Sequence, residues 1–118
     1  MYSIFLKSKI HKAVVTGAEL NYEGSLTIDA ILMRAAGIRP YEMVRVYNMH
    51  NGERFETYAI EGEPDSGDIC LNGAAARKGL VGDVIIIACY TMLSDDDLEG
   101  FRPVVIQVDE RNRIKEKK

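Results

Sequence analysis

The stretch "NYEGSLTID" at residues 21–29 places a serine hydroxyl directly after a glycine carbonyl. Those two groups can react with each other. If Ser25 Oγ adds to the Gly24 carbonyl carbon, the peptide bond rearranges to an ester. Loss of the Ser25 α-proton then expels the Gly24 carboxylate and breaks the chain. The dehydroalanine left behind hydrolyses, with release of ammonia, to a pyruvoyl group that caps the new N-terminus. A glycine before the serine leaves the carbonyl unobstructed and permits a strained backbone. A donor near that carbonyl must stabilise the tetrahedral oxyanion, and a base must take the α-proton. Gly-Ser is also a common turn dipeptide, so the pair alone is either a scissile bond or a hairpin turn.

The elements that must position this pair are short and mostly strand-like. "YSIFLKSKIHKAVVT" (2–16) alternates, with Ile4, Leu6 and Ile10 on one face and Lys7, Lys9 and His11 on the other. "MVRVYNM" (43–49) and "RFETYAI" (54–60) flank Asn51-Gly52, a hairpin signal because both turn positions tolerate positive φ. Residues 68–72, 83–92 and 102–109 complete the strands, with Pro103 suited to a strand end or an edge. Helices are expected at 29–37, with Asp29 as N-cap and Gly37 as stop, and as short turns at 73–79 and 95–100. Many short strands with few helices suggest a mainly β, closed barrel, because closure removes exposed edges. The apolar run at 84–90 needs cover on both faces, which favours an oligomer.

Length and composition limit the alternatives. A chain of 118 residues suits a single domain with its own core. No apolar run approaches the length of a membrane helix, and the start has no secretory signal order; a cytoplasmic location is expected. Cys70 and Cys89 form no CxxC pair, and His11 and His50 lack metal-ligand spacing, so two buried thiols and no metal are expected. Net charge is −3, and the last nine residues carry +3 of it, leaving an acidic body of −6. An acidic body argues against nucleic acid as a partner. Residues of about 110–118 are expected to form a flexible, solvated tail.

"YEGSLTID" (22–29), "NGERFETYAI" (51–60) and "NGAAA" (72–76) together resemble the pyruvoyl-dependent aspartate 1-decarboxylases. The resemblance runs from "KSKIHKAVVT" to "GDVIIIA" at 82–88 and fades after about residue 94. It implies a double-psi β-barrel, a homotetramer, and self-cleavage into chains 1–24 and 25–118. It also implies conversion of L-aspartate to β-alanine and CO2, which supplies β-alanine for pantothenate. A maturation factor that assists cleavage stays open.

The resemblance also implies roles for individual residues. Ser25 becomes the pyruvoyl group, whose ketone forms a Schiff base with the substrate amine and accepts the electrons left by CO2. This is the electron-sink task that pyridoxal phosphate performs elsewhere, so no pyridoxal phosphate is expected. Tyr58 corresponds to the proton donor and Thr57 to the residue that binds substrate and assists cleavage at Gly24. Arg54 and Lys9 match the cationic positions that hold a substrate carboxylate, for which a planar guanidinium is well shaped. The anchored group should be the side-chain carboxylate, since pairing the departing one would stabilise the ground state. Asn72, Gly73, Ala74 and Ala75 match the substrate-binding backbone and its polar contact; read alone, the segment is a strand-to-helix turn, and it lacks P-loop spacing. Tyr22 and Glu23 either position the scissile bond or end a strand, and His11 has no assigned role. Period-2 alternation puts Thr57 and Tyr58 on opposite faces of one strand, so both serve only if the strand bends or if its faces line sites of adjacent subunits, and the interface is favoured.

Two other readings compete. One is a pyruvoyl decarboxylase for another acidic amino acid, which a difference of one methylene separates only modestly. The other is an uncleaved barrel that binds ligands. Intact mass under denaturing conditions separates the last from the rest. The wild-type chain should give fragments 1–24 and 25–118, the larger lighter than a serine-ended fragment by one ammonia. Ser25→Ala should give one full-length, inactive chain.

Overall fold

The computed structural model describes residues 1–118. Nine strands and one α-helix follow the order β1 (Tyr2–Val14), β2 (Gly17–Glu19), β3 (Ser25–Asp29), α1 (Ala30–Ala36), β4 (Met43–Asn48), β5 (Arg54–Gly62), β6 (Ile69–Asn72), β7 (Val84–Ser94), β8 (Val104–Val108) and β9 (Ile114–Lys117). Two 3₁₀ segments, Gly73–Lys78 and Asp95–Asp97, fall where short helices were expected. No helix is long and apolar enough to cross a membrane.

The mainly β expectation is met. The strand order is β2-β6-β3-β5-β4-β7-β1-β8-β9. The sheet curls back on itself just after β1. Thr16 N donates to Ile69 O (2.8 Å), and Ile69 N donates to Thr16 Oγ1 (2.9 Å), tying the end of β1 to β6. One core fills the interior, with Ile10, Leu26, Ile28, Val46, Ile69, Leu71, Ile85, Ile87 and Ile106 all fully buried. Each such side chain contributes about 1.5–3 kcal/mol relative to exposure.

α1 forms where its caps dictate. Asp29 Oδ1 accepts from Ile31 N (2.8 Å), and Gly37 closes the helix in the left-handed conformation at φ 69°. Asp29 also accepts from Asp65 N and Gly67 N, at 2.9 Å each, so the cap anchors the loop that leads into β6. Asn112 anchors that loop from the other side. Its amide bonds both Val14 backbone groups (2.7 and 2.8 Å) and Gly67 O (2.8 Å).

Several expectations need correction. β1 does not alternate evenly, because two bulges interrupt its pairing with β7, between Leu6 and Ser8 and between Ile10 and Ala13. Each bulge adds a residue and shifts which side chains face inward. Ile10 is buried, but Ile4 is 69% exposed. Asn51-Gly52 does join β4 to β5, but within a longer loop in which only Gly52 takes positive φ. Asn51 instead uses its side chain, accepting from Glu53 N (2.8 Å) and donating to Lys78 O (2.9 Å). Gly24-Ser25 is no hairpin turn, since Ser25 is the first residue of β3. The tail at 110–118 carries β9, paired antiparallel with β8, although its four side chains are all exposed. Of the two free thiols, Cys89 is buried and Cys70 only partly so.

A polar clamp holds the end of the first 3₁₀ segment. Asp83 Oδ2 accepts from Asn48 Nδ2 and from Leu80 N, both at 2.9 Å, and Asn48 Nδ2 also reaches Lys78 O (3.2 Å). The hydrogen bond from Asn48, then that from Leu80, hold the Asp83 carboxyl below the usual carboxylate range. A carboxyl with a depressed folded pKa adds stability above its unfolded value of about 4, and that stability is lost as pH falls through the folded value. Asp83→Ala should therefore melt below the wild type at pH 7, and the gap should narrow below about pH 4. Thermal melts from pH 7 to pH 3 read this directly.

Candidate active site

Ser25 stands where three strands meet. β3 runs antiparallel to β6, with Ser25 opposite Asn72, and parallel to β5, with Leu26 opposite Ala59. One step back along that parallel pair come Ser25 and Tyr58. Ser25 is 1% exposed, so its hydroxyl needs partners. It accepts from Asn72 Nδ2 (3.0 Å) and donates to Glu23 O (3.2 Å). Asn72 Nδ2 also donates to Thr27 Oγ1 (2.9 Å), and the Cys70 thiol donates to Asn72 Oδ1 (3.2 Å). The buried amide is thus bonded at both ends and cannot turn without losing partners. Cys70 suits the role of donor, because burial, with Glu19 and Asp68 nearby, raises its thiol pKa and keeps the proton on sulfur.

Gly73 follows Asn72 at φ 65°, and a Cβ there would lie 2.7 Å from Gly24 Cα and 2.8 Å from Gly24 N. The backbone just before Ser25 therefore packs directly on Gly73, and no side chain fits between them. Gly24 itself has no positive φ, and a Cβ on it would meet nothing within 4 Å. Its confinement comes from Gly73 and Asn72.

Two clefts meet at the Gly24–Ser25 bond. The larger, of about 340 Å³, is lined by Tyr22, Glu23, Ser25, Pro40, Tyr41, Tyr58, Ile60 and Glu61. The smaller, of about 170 Å³, is lined by Gly24, Phe55, Glu56, Thr57, Asn72, Ala74, Ala75 and Lys78. Thr57 and Tyr58 do face opposite sides of β5, as alternation requires. Because the bond itself lies between the clefts, Tyr58 shares a cleft with Ser25 while Thr57 shares one with Gly24.

The two cations expected at the site, Arg54 and Lys9, lie apart. Arg54 stacks its guanidinium on the Tyr47 ring (4.0 Å to the centroid) and lines a third cleft with Arg45, Tyr47, Phe55 and Glu56. That cleft shares Phe55 and Glu56 with the smaller cleft at Gly24. Lys9 sits on β1 opposite Ala88 and Val105, and lines neither cleft at Ser25. His11 follows on the same strand. Its Nδ1 is buried without a partner, and burial, then Lys9 and Lys12, push its pKa down. Thr27, Cys70, Tyr41 and Lys78 were not anticipated. Thr27 and Cys70 sit two residues from Ser25 and Asn72, a spacing that shares a strand face, but only the register reveals the network.

The sequence profile of the family described as Aspartate decarboxylase matches residues 1–115, well beyond residue 94, where the resemblance was expected to fade. A protein named Aspartate 1-decarboxylase from Desulfotalea psychrophila is 60% identical over 111 residues, covering 94% of this chain and 93% of its own. A namesake from Thermoanaerobacter pseudethanolicus is 56% identical over 113 residues, covering 96% and 97%. Another, from Syntrophus aciditrophicus, is 53% identical over 115 residues, covering 98% and 99%.

The contact at Gly73 is open to test. Gly73→Ala should force the 22–24 backbone away and strain residue 73, lowering stability by about 1–3 kcal/mol. Chemical denaturation reads that loss.

Proposed function

The chain belongs to the aspartate decarboxylase family, and from that premise we propose how its residues divide the work. It is a lyase that removes CO2 from aspartate. The pyruvoyl group, made from Ser25 by cleavage after Gly24, would supply an electron sink for the departing CO2. The residues around Ser25 fit such a group. The site is buried, a fixed Asn72 amide bonds the Ser25 hydroxyl that would leave with the Gly24 carboxylate, and the neighbouring backbone rests on a glycine.

The observation that carries the reading is the sharing of one cleft by Ser25 and Tyr58. Tyr58 donates the proton that replaces CO2 on the substrate carbon. Thr57, in the cleft of Gly24, stabilises the oxyanion during chain breakage and afterwards contacts substrate. Ala74, Ala75 and the Gly73 backbone admit the substrate closely, and Asn72 offers the polar contact. Arg54 anchors the side-chain carboxylate; stacking on Tyr47 leaves its in-plane donors free for that task. Lys9 completes the anion site from a neighbouring subunit.

The assembly we assign is a homotetramer with sites between subunits. Two observations support it: Lys9 and Ser25 share no cleft within one chain, and Ile4, Met43 and Met92 leave apolar surface exposed on β1, β4 and β7. Two thiols without a disulfide support a cytoplasmic location.

Tyr58→Phe separates the two reactions. It should be cleaved into the same fragments, yet lose turnover on aspartate by about 10²–10⁴-fold. Normal CO2 release by Tyr58→Phe would remove Tyr58 as the donor. Arg54→Met should raise the KM for aspartate by at least about tenfold; an unchanged KM would place the carboxylate anchor elsewhere.

A further inference from the structure

Four residues other than glycine take positive φ: Lys12, Tyr41, Asp65 and Asn112. Asp and Asn tolerate that region, and Lys12 lies in a bulge of β1. Tyr41 has neither excuse. It occupies the third position of a turn closed by Glu42 N and Arg39 O (3.1 Å), with Pro40 second and Tyr41 at φ 70°. A turn of this kind favours Gly or Asn at the third position, because a Cβ there is strained.

The surroundings hold the strained residue in place. Tyr41 N donates to Ala59 O (2.7 Å), and Ala59 N donates to Glu42 O (3.0 Å). Glu42 is fixed in turn by Arg39 N (2.9 Å) and Lys7 Nζ (2.6 Å). Core packing does not account for the tyrosine, since it is 78% exposed. What its ring does is wall the cleft that contains Ser25 and lie against Tyr58, with centroids 6.2 Å apart and planes inclined by 35°. The hydrogen bonds to Ala59 seat it one residue from Tyr58 along β5.

We propose that Tyr41 is a positioning residue: its ring, aimed by a strained turn, buttresses the Tyr58 phenol over Ser25. The inference rests on Tyr58 acting as proton donor. The backbone strain is tolerated because it sets the orientation of the phenol, so the gain is in turnover and the cost is in stability.

Tyr41→Asn removes the ring and suits the turn. Its melting temperature should rise by a few degrees, while kcat on aspartate falls by about 2–10-fold, the range of one aromatic pair. KM should change little, and intact mass should show the same two fragments as the wild type. Tyr41→Phe should restore most of kcat without the stability gain. A stabler Tyr41→Asn with wild-type kcat overturns the inference. So does a destabilised Tyr41→Asn that dissociates into smaller assemblies, which would make Tyr41 an interface residue. Tyr58→Phe, assayed in parallel, keeps the two ideas apart. If it stays active, the donor assignment itself fails; if it is inactive while Tyr41→Asn turns over normally, only the role of Tyr41 fails.

Discussion

The structure depends on the seating of Gly24 and Ser25 against Asn72 and Gly73. On one side a buried amide bonds the serine hydroxyl; on the other a glycine admits the preceding backbone within contact distance. Neither partner can be replaced freely. An amide at 72 without its bonds would be an unsatisfied buried polar group, and a side chain at 73 would collide with backbone rather than with a flexible side chain. The register of β3 with β6 follows from this seating, as does the placing of Tyr58 beside Ser25 on β5. The Cys70 thiol extends the constraint by holding the amide from its oxygen end.

The same arrangement distributes the chemistry. A bond at the junction of two clefts can be served by both faces of one strand, so Thr57 and Tyr58 need not compete for one side. The smaller cleft is lined by Gly24 and Thr57, the larger by Ser25 and Tyr58. Lys78 lines the smaller cleft, whereas Arg54 stacks on an aromatic ring and Lys9 sits on a strand three places from β5 in the sheet.

Strain is placed unevenly. Gly24, where a glycine permits strain, has no positive φ, while Tyr41 across the cleft carries a left-handed conformation. Strain at a wall residue orients a group and persists through every turnover. Strain at the bond itself would vanish once the bond broke.

The local features were legible in the residues themselves. The caps of α1 at Asp29 and Gly37 and the start of β5 at Arg54 depend on neighbours in the chain, and the sequence by itself determined them. The blocks around residues 22, 51 and 72 carried the family. Tertiary structure decided what depends on distant partners. Bulges in β1 exposed Ile4, the loop at Asn51 turned a side chain toward Lys78, and residues 114–117 found a strand edge to pair with. Tyr41 belongs to this second group, because a turn sequence does not show which cleft its ring will face. Alternation reports the two sides of a strand; only register, set by pairings far apart in the chain, reports which residues meet across it.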